Sequence, residues 1–332
     1  MAGLVISRTP LRISLVGGGS DLPSFCNLHG GAVVSTAVDK WIHVIVAPRF
    51  EGDLRISYSQ TETVATAKYV QHELVREALR VTGLPRGLEI LTLADVPSRG
   101  TGLGSSSAVT IGLLNALYGY QGLYKAPVEL AEEAAEIEIG VLGKPIGKQD
   151  HYAAALGGFN FMEFLPGGGV RAEPLVCPPG TLERLHASML LFYTGRQRSA
   201  ASVLGGQDRA IQDGSAVGPL TAIRDMAYEL REALGKGDAH HAGPIVHRSW
   251  ELKRSLTAGV SNSEIDVLYE TARRNGASGG KLLGAGGGGF LLLLAEPERH
   301  ASIRVALEGV REVPLNFASR GTQITHLDRP AH

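Results

Sequence analysis

The sequence predicts an α+β fold in two halves, and three observations carry that reading. Strand-like segments and amphipathic helices are interspersed in both halves, without the regular strand–helix alternation of a doubly wound parallel sheet. The 332 residues suffice for two domains of ordinary size or one large one. A Pro178-Pro179-Gly180 break then separates an N-terminal domain, residues 1–177, from a C-terminal one, residues 181–332.

Residues 3–16 read as a strand, with Ile6, Leu11, Ile13 and Leu15 in partial alternation. Residues 32–48 read as two further strands, ending in the β-rich run Trp41-Ile-His-Val-Ile-Val46. Thr66–Thr82 places Val70, Leu74, Val75 and Leu79 on one face of a helix. Leu88–Leu93 is a strand that runs into Pro97 and a glycine loop. A helix begins near Ser105, with Val109, Leu113, Leu114 and Leu117 as its apolar stripe. Another runs from Pro127, a residue suited to the first helical position, to about Leu142. Phe159–Phe164 and Val170–Leu175 form a hairpin around Pro166-Gly-Gly-Gly169. Beyond the break, Ser188–Tyr193 is a strand, and helices follow near Pro219–Leu234, Pro244–Leu256 and Ser263–Asn275. A glycine-rich turn leads into strand Phe290–Leu294, then a helix near Glu298–Glu308 and a last strand near Gln323–His326.

The composition, 44% hydrophobic and 20% charged with net charge −1, is that of a globular chain. No basic excess points to nucleic acid or an anionic membrane as a partner. Only Cys26 and Cys177 are present, far apart, so neither a disulfide framework nor a cysteine-ligated zinc site is expected. A cytoplasmic location is expected, because the N-terminus is charged too early for a signal peptide and no apolar run approaches a membrane span. The oligomeric state is open, with a homodimer compatible with the sequence. The unusual number is 43 glycines, well above average usage and gathered in clusters between apolar segments. Glycine placed so marks turns, or backbone brought close to a ligand.

The central cluster is Pro97 followed by Gly100-Thr101-Gly102-Leu103-Gly104-Ser105-Ser106-Ser107 at the start of a helix. Unpaired N–H groups and the positive end of the helix dipole make such a place an anion site. The serines add a cap and hydroxyls for phosphate or metal. No Gly-Lys-Ser/Thr ends the loop, so it is not a Walker A loop. The spacing also lacks the Gly-x-Gly-x-x-Gly of a dinucleotide fold. A tight turn with a serine cap is the bland alternative. A second cluster, Gly17-Gly18-Gly19-Ser20-Asp21, ends the first strand. It reads either as a substrate cradle with Asp21 on a hydroxyl or as an Asp-stabilised turn. The third, Gly279-Gly-Lys281-Leu-Leu-Gly284-Ala-Gly286-Gly287-Gly-Gly289, offers N–H groups and a lysine to an anion, or is a flexible turn.

On the helix from Pro127, Glu138 lies at the edge of the stripe Leu130, Ala134, Ile137 and Val141. A carboxylate beside core positions wants a cation or donors. Twelve residues on, Asp150 follows Gly147-Lys148-Gln149. A metal-binding Glu and a loop Asp suit phosphoryl transfer with Mg²⁺, while a helix cap is the plainer reading of Asp150. Lys148 is a cation near enough in sequence to favour an ionised Asp150. The adjacent pair His240-His241 lacks ligand spacing and reads as surface.

In this order, three stretches resemble the GHMP kinase superfamily: Arg8-Thr-Pro-Leu-Arg-Ile-Ser-Leu-Val-Gly-Gly-Gly-Ser-Asp21, Gly102-Leu-Gly-Ser-Ser-Ser107 and Gly279–Phe290. Ile146-Gly-Lys-Gln-Asp150 and Tyr193-Thr-Gly195 extend the likeness over nearly the whole chain, and within the superfamily it is greatest to the heptose 7-phosphate kinases. The resemblance implies a domain like the second domain of ribosomal protein S5 followed by a ferredoxin-like domain, with ATP and a sugar or sugar-phosphate acceptor in the cleft between. It implies Gly100–Ser107 as the triphosphate loop, Ser106 and Glu138 as Mg²⁺ partners with Ser105 or Ser107 as alternatives to Ser106, Asp150 as the base and Arg12 as its cation. Gly18, Gly19, Ser20 and Asp21 fall at the acceptor, with Gly286 and Gly287 opposite. For an acceptor phosphate, Arg198 and Lys281 are the candidates, with Arg196, Arg99 and Lys40 as rivals. Galactokinase-like members carry Glu-His where this chain has Gly18-Gly19, which opens the pocket to a bulkier or differently oriented acceptor. A kinase for a free sugar such as fucose, or an inactive sugar or nucleotide sensor, are the alternatives.

Overall fold

The structure, a computed structural model, describes residues 3–97, 100–196 and 200–328. Its strands are β1 (Val5–Val16), β2 (Gly31–Pro48), β3 (Leu54–Ser57), β4 (Thr61–Val64), β5 (Leu88–Ala94), β6 (Phe159–Phe164), β7 (Val170–Pro174), β8 (Met189–Tyr193), β9 (Ala277–Leu282), β10 (Phe290–Ala295), β11 (Arg311–Glu312) and β12 (Gln323–Leu327). Its α-helices are α1 (Pro23–His29), α2 (Glu73–Thr82), α3 (Ser105–Gln121), α4 (Pro127–Ala135), α5 (Gln149–Leu156), α6 (Thr181–Ala187), α7 (Ala200–Gln212), α8 (Val217–Gly235), α9 (Ala242–Leu256), α10 (Ser263–Arg274) and α11 (His300–Ala306). The α+β expectation holds. Among the described residues no helix is long and apolar enough to cross a membrane.

The strands form two sheets. In the first, the order is β12-β1-β2-β5-β3-β4, with β6 also on β2 and β7 on β6. The second is the antiparallel sheet β11-β8-β10-β9. Where two strands were expected within residues 32–48, β2 is one strand of 18 residues. Its first part pairs with β6 and its second with β5. Every residue of Gly31–Val38 is buried, whereas burial alternates from Ile42 to Ala47. Strands buried on both faces lose the alternation that marks a half-buried strand, so β2 reads as two segments of different character. A register shift against β1, between Pro10 and Leu11, falls just before Arg12, whose N–H donates to Leu103 O at 3.0 Å.

The expected division of the chain needs one amendment. β12 pairs with β1, so the end of the 181–332 segment returns to the first sheet. The main core cluster likewise joins residues of α8 and α9 (Leu230, Leu234, Ile245, Val246) to the first sheet.

The local elements follow from their sequences. On α2, Leu74, Val75, Ala78 and Leu79 are buried, and Gly83 closes the helix in a left-handed conformation. Pro127 begins α4, where Glu129 Oε2 accepts from Ala126 N at 2.7 Å. The helix expected to run to about Leu142 changes at Glu136 into a π-helical turn, Glu136–Val141. Such turns widen the ladder and redirect one side chain, here Glu138, into the interior. The glycine-rich turn expected before β10 is largely strand: Gly279, Gly280 and Lys281 lie in β9. A Cβ on Gly279 would stand 1.9 Å from Gly243 O, so this glycine lets α9 lie directly on the strand.

Candidate active site

Three segments distant in sequence meet at the start of α3. The Gly100–Gly104 loop lies between β1 and the glycine-rich segment after β9. Phe290 N donates to Thr101 O at 3.2 Å, and a Cβ on Gly289 or Gly284 would strike the loop backbone at 2.4 Å. From the other side, Arg12 Nη1 donates to Gly102 O at 2.6 Å. Thr101 and Leu103 are buried, and Pro97 is exposed at the end of the strand leading to the loop. Gly104 takes the cap position of α3, so Ser105 is already helical and no serine caps the helix. The first-turn N–H groups of α3 therefore face the loop without intrahelical partners. Ser105 Oγ lies 3.2 Å from Thr101 Oγ1, and Ser107 is buried. Ser106 alone of the three is exposed. Its hydroxyl donates to Glu138 at 2.5 Å.

Glu138 is completely buried. Thr110 Oγ1 donates to it at 2.9 Å, and His151 Nε2 and Lys144 Nζ each lie 3.2 Å from its oxygens. Burial by itself pushes the carboxyl up, but the hydrogen bond and charge of His151, the Lys144 ammonium and the Ser106 hydroxyl outweigh it and hold the group down to about 2. Glu138 is thus a carboxylate at neutral pH, with a hydroxyl between it and the loop.

Opposite stands Asp150, on the first turn of α5. Arg12 reaches it through Nε and Nη2, both 2.7 Å from Oδ1. Among the described residues Oδ2 has no partner, and it lies 3.3 Å from where a Cβ on Gly104 would be. Arg12 is 4% exposed and Asp150 is in part open to solvent. The free oxygen of the pair therefore faces the loop, placed to accept a proton there. Lys148, expected beside Asp150, is not: its ammonium reaches Glu132 at 2.7 Å and Gly168 O at 3.2 Å. The cation that supports Asp150 is Arg12.

A cavity of about 680 Å³ opens beside Ser105 and Ser106, lined among others by Ile42, Tyr58, Leu74, Val96 and Val109, with Lys144 at its edge. Its lining mixes these apolar side chains with polar ones, Gln60, Gln71, Glu73 and Thr92 among them, and its position beside the start of α3 suits a nucleoside and its phosphates.

The residue pattern of the GHMP kinases N terminal domain matches residues 64–158, and that of the GHMP kinases C terminal matches residues 230–308. The chain is also 32% identical to D-glycero-alpha-D-manno-heptose 7-phosphate kinase of Campylobacter jejuni, over 91% of this chain and 92% of that one. The chain belongs to the GHMP kinases. It is an ATP-dependent phosphotransferase with the two-domain fold of that family. A solved structure of a D-glycero-D-manno-heptose 1-phosphate kinase from Bacteroides thetaiotaomicron superposes with a TM-score of 0.80 at 27% identity, covering 97% of this chain and 99% of that one. The bifunctional fucokinase/GDP-fucose pyrophosphorylase of Arabidopsis thaliana is 29% identical over 90% of this chain, which spans 30% of that longer protein.

Several of the kinase's expected acceptor residues have other work. Ser20 is fully buried, and its hydroxyl donates to Gly17 O at 2.8 Å. Asp21 is 3% exposed: its Oδ1 accepts from Gly19 N at 3.0 Å and Gln149 Nε2 at 2.8 Å, its Oδ2 from Gln149 N at 3.3 Å. Burial and the Asp150 charge raise its pKa, while the N–H groups of Gly19 and Gln149 pull it back. Both residues brace the Gly17–Asp21 loop, contrary to the expectation of a free hydroxyl-binding acid. Gly286 packs its α-carbon on Val260, to whose carbonyl Gly287 N donates at 2.9 Å, so these two glycines join segments and leave no N–H of Gly287 for a ligand. Lys281 is 3% exposed and donates to Leu15 O at 3.2 Å, which removes it as an accessible phosphate anchor. Arg196 is paired with Glu264 and Lys40 with Asp39. Arg198 and Arg99 lie outside the described residues. His240 and His241 are exposed and paired with Glu296 and Asp238. Gly18 lies against Gln149, the neighbour of Asp150, and Gly19 against Leu220 and Gln207.

The sequence reading missed Thr110, Lys144 and His151 around Glu138, and Lys253 on α9. For Lys253 a signal existed. Ile245, Val246, Ser249 and Trp250 make a buried helical stripe, and Lys253 continues it at the correct spacing.

Proposed function

We propose that this kinase transfers the γ-phosphoryl of ATP to the anomeric hydroxyl of D-glycero-D-manno-heptose 7-phosphate, giving the 1,7-bisphosphate. The observation that carries the chemistry is the free Oδ2 of Asp150, held by Arg12 across the glycine loop from the Ser106–Glu138 pair. The acceptor assignment rests on the 32% identity to the heptose 7-phosphate kinase.

Asp150 orients the acceptor hydroxyl and takes its proton on Oδ2 as the hydroxyl oxygen bonds to the γ-phosphorus and the bond to the departing ADP oxygen breaks. Arg12 fixes the carboxylate through Oδ1 and ties it to the loop through Gly102 O. The N–H groups of the α3 terminus meet the charge on the transferring group. Mg²⁺ fits Ser106 and Glu138, because a hydroxyl and an ionised carboxylate are hard oxygen donors bordering the phosphate loop. When bound with ATP, the metal neutralises phosphate charge. Two free thiols suit a reducing compartment, and we place the enzyme in the cytoplasm.

A free sugar such as fucose is the second reading, favoured by the fucokinase likeness and by the inward turn of Lys281. A panel of sugar 7-phosphates and free sugars, scored by ADP release with the phosphorylated position fixed by NMR, decides between them. Product phosphorylated at C1 of the heptose 7-phosphate supports the proposal, and turnover confined to free sugars refutes it. Asp150→Asn is expected to lose at least ~10²-fold in kcat. Near-normal turnover in that variant removes Asp150 from the mechanism.

A further inference from the structure

Beside the Asp150 base, the chain carries a buried polar set that the phosphoryl-transfer chemistry leaves without a role. Gly18 marks its centre. A Cβ there would meet Ser14 Oγ at 3.4 Å, Gln149 Nε2 at 3.5 Å and Lys253 Nζ at 3.5 Å. Gly18 is not among the glycines with positive φ, and those contacts are not clashes. Neither backbone conformation nor crowding therefore calls for glycine at 18; its missing side chain leaves space on which three polar groups converge. At the adjoining Gly19, the corresponding point lies 3.8 Å from Gln207 Oε1, on α7.

Among the described residues these groups are short of partners. Gln207 is 1% exposed, yet neither its Nε2 nor its Oε1 is hydrogen-bonded. Ser14, 5% exposed, has an unpartnered Oγ, and Gln149 an unpartnered Oε1. Lys253, 6% exposed, has a hydrogen bond from its ammonium to Gly284 O at 3.0 Å, leaving two donors. Buried polar groups without partners are costly, and a cluster of them around a gap next to a reacting centre indicates that a ligand supplies the missing bonds.

Resting on the sugar-kinase reading above, we propose that Lys253 and Gln207, with Ser14 and Gln149, form the subsite that recognises the sugar hydroxyls next to the reacting one. The chemistry selects hydroxyls over a phosphate. At these two glycines the Gln207 amide oxygen accepts, the Lys253 ammonium and the Gln149 amide nitrogen donate, and the Ser14 hydroxyl does both. Vicinal hydroxyls, each donor and acceptor, satisfy such a mixed set, whereas a phosphate would leave the Gln207 amide oxygen unpaired and facing its charge. The position agrees, since Gln149 immediately precedes Asp150 and Lys253 feels the charges of Asp150 and Asp21. The acceptor's own phosphate, many bonds from its anomeric carbon, is then held elsewhere.

The test compares Lys253→Met and Gln207→Leu with the wild-type kinase, using whichever panel sugar the wild type phosphorylates. Acceptor KM is measured at saturating ATP, and ATP KM at saturating acceptor. Both variants are expected to raise acceptor KM at least ~10-fold, the loss of a hydrogen bond with a charged or fully buried partner. ATP KM stays within about twofold, and preference for phosphorylated over free sugar is unchanged. A 2-deoxy acceptor loses less in the variants than the parent sugar does. A raised ATP KM, a collapse of the preference for phosphorylated sugar, or an unchanged acceptor KM in a folded variant each overturns the subsite. Gln207→Leu carries the test if Lys253→Met does not fold. A wild type that prefers another sugar refutes the heptose assignment while a KM shift on that sugar still supports the subsite; a wild type that turns over no sugar overturns both.

Discussion

Gly102 and Gly104 occupy the same loop with φ of 78° and 77°, so an alanine at either meets the same backbone penalty, about 1–2 kcal/mol. Their surroundings differ, and the two substitutions should therefore fail differently. A Cβ on Gly102 would stand 2.2 Å from Leu283 O and 2.6 Å from Leu283 C. Those are backbone atoms of the segment leaving β9, so the two glycine segments must part, with the Phe290–Thr101 hydrogen bond at risk. Gly102→Ala should lower the unfolding midpoint markedly, with a total cost of several kcal/mol. A Cβ on Gly104 would stand 3.3 Å from Arg12 Cγ and from Asp150 Cγ and Oδ2. Relief there needs only a few tenths of an ångström, taken by the catalytic pair itself. Gly104→Ala should cost little beyond the backbone penalty, yet lower kcat about 10-fold or more, because displacement of a positioned group by 1 Å costs ~10²-fold. Thermal unfolding with steady-state kinetics on both variants makes the comparison. Wild-type kcat in Gly104→Ala, or wild-type stability in Gly102→Ala, refutes the assignment of these two glycines.

Two further outcomes follow from buried charges. Glu138, held down to about 2, titrates below its unfolded value near ~4.3, so its contribution to stability is complete above that value and lost as pH falls toward 2. Glu138→Gln should flatten the acid limb of the stability profile, and an unchanged limb argues against an ionised Glu138 network. Lys253 is pushed down to about 8 by burial, with the carboxylates of Asp21 and Asp150 opposing and the Arg12 guanidinium adding to the shift, while Lys281 is buried nearby and is itself well below the usual range. The unfolded chain binds more protons from pH 8 to ~10.4, so stability rises across that window. Acceptor kcat/KM moves the opposite way, falling above pH 8 as the ammonium is lost. Lys253→Arg should remove that alkaline limb, and its persistence in the variant assigns it to another group.

The parts of the site legible in the sequence are those whose chemistry is local. The Gly100–Ser107 loop is a strand-to-helix turn whose proposed anion-binding groups are its own N–H atoms, so the proposed role is written in consecutive residues. Glu138 is legible because helical periodicity alone sets a carboxylate beside apolar positions. What periodicity could not show is the π-helical turn that carries it fully inside, or the partners Thr110 and His151, which come from other elements. The glycines after β9 were read as ligand-facing because close approach of backbone is what glycine permits. Sequence does not say to what, and the answer here is largely protein: the Gly100–Gly104 loop and Val260.

Lys253 shows how far the same reasoning extends when no motif is present. The criterion that singles out Glu138, a charge on or beside an apolar helical stripe, applies with equal force to a lysine that follows Ile245, Val246, Ser249 and Trp250 at helical spacing. A buried ammonium costs several kcal/mol unless it is paired. Among the described residues its hydrogen bond to Gly284 O leaves two of its three donors unmet, and the carboxylates whose charges it feels, Asp21 and Asp150, are engaged by the Gly17–Asp21 loop and Arg12. Such a residue destabilises the empty protein, and the polar atoms of Ser14 and Gln207 left bare around the same gap add to that cost. A free enzyme strained in this way should be stabilised by its acceptor more than by nucleotide alone. In Lys253→Met, where the strain is absent, the rise in unfolding temperature on adding acceptor should shrink while the rise on adding ADP remains.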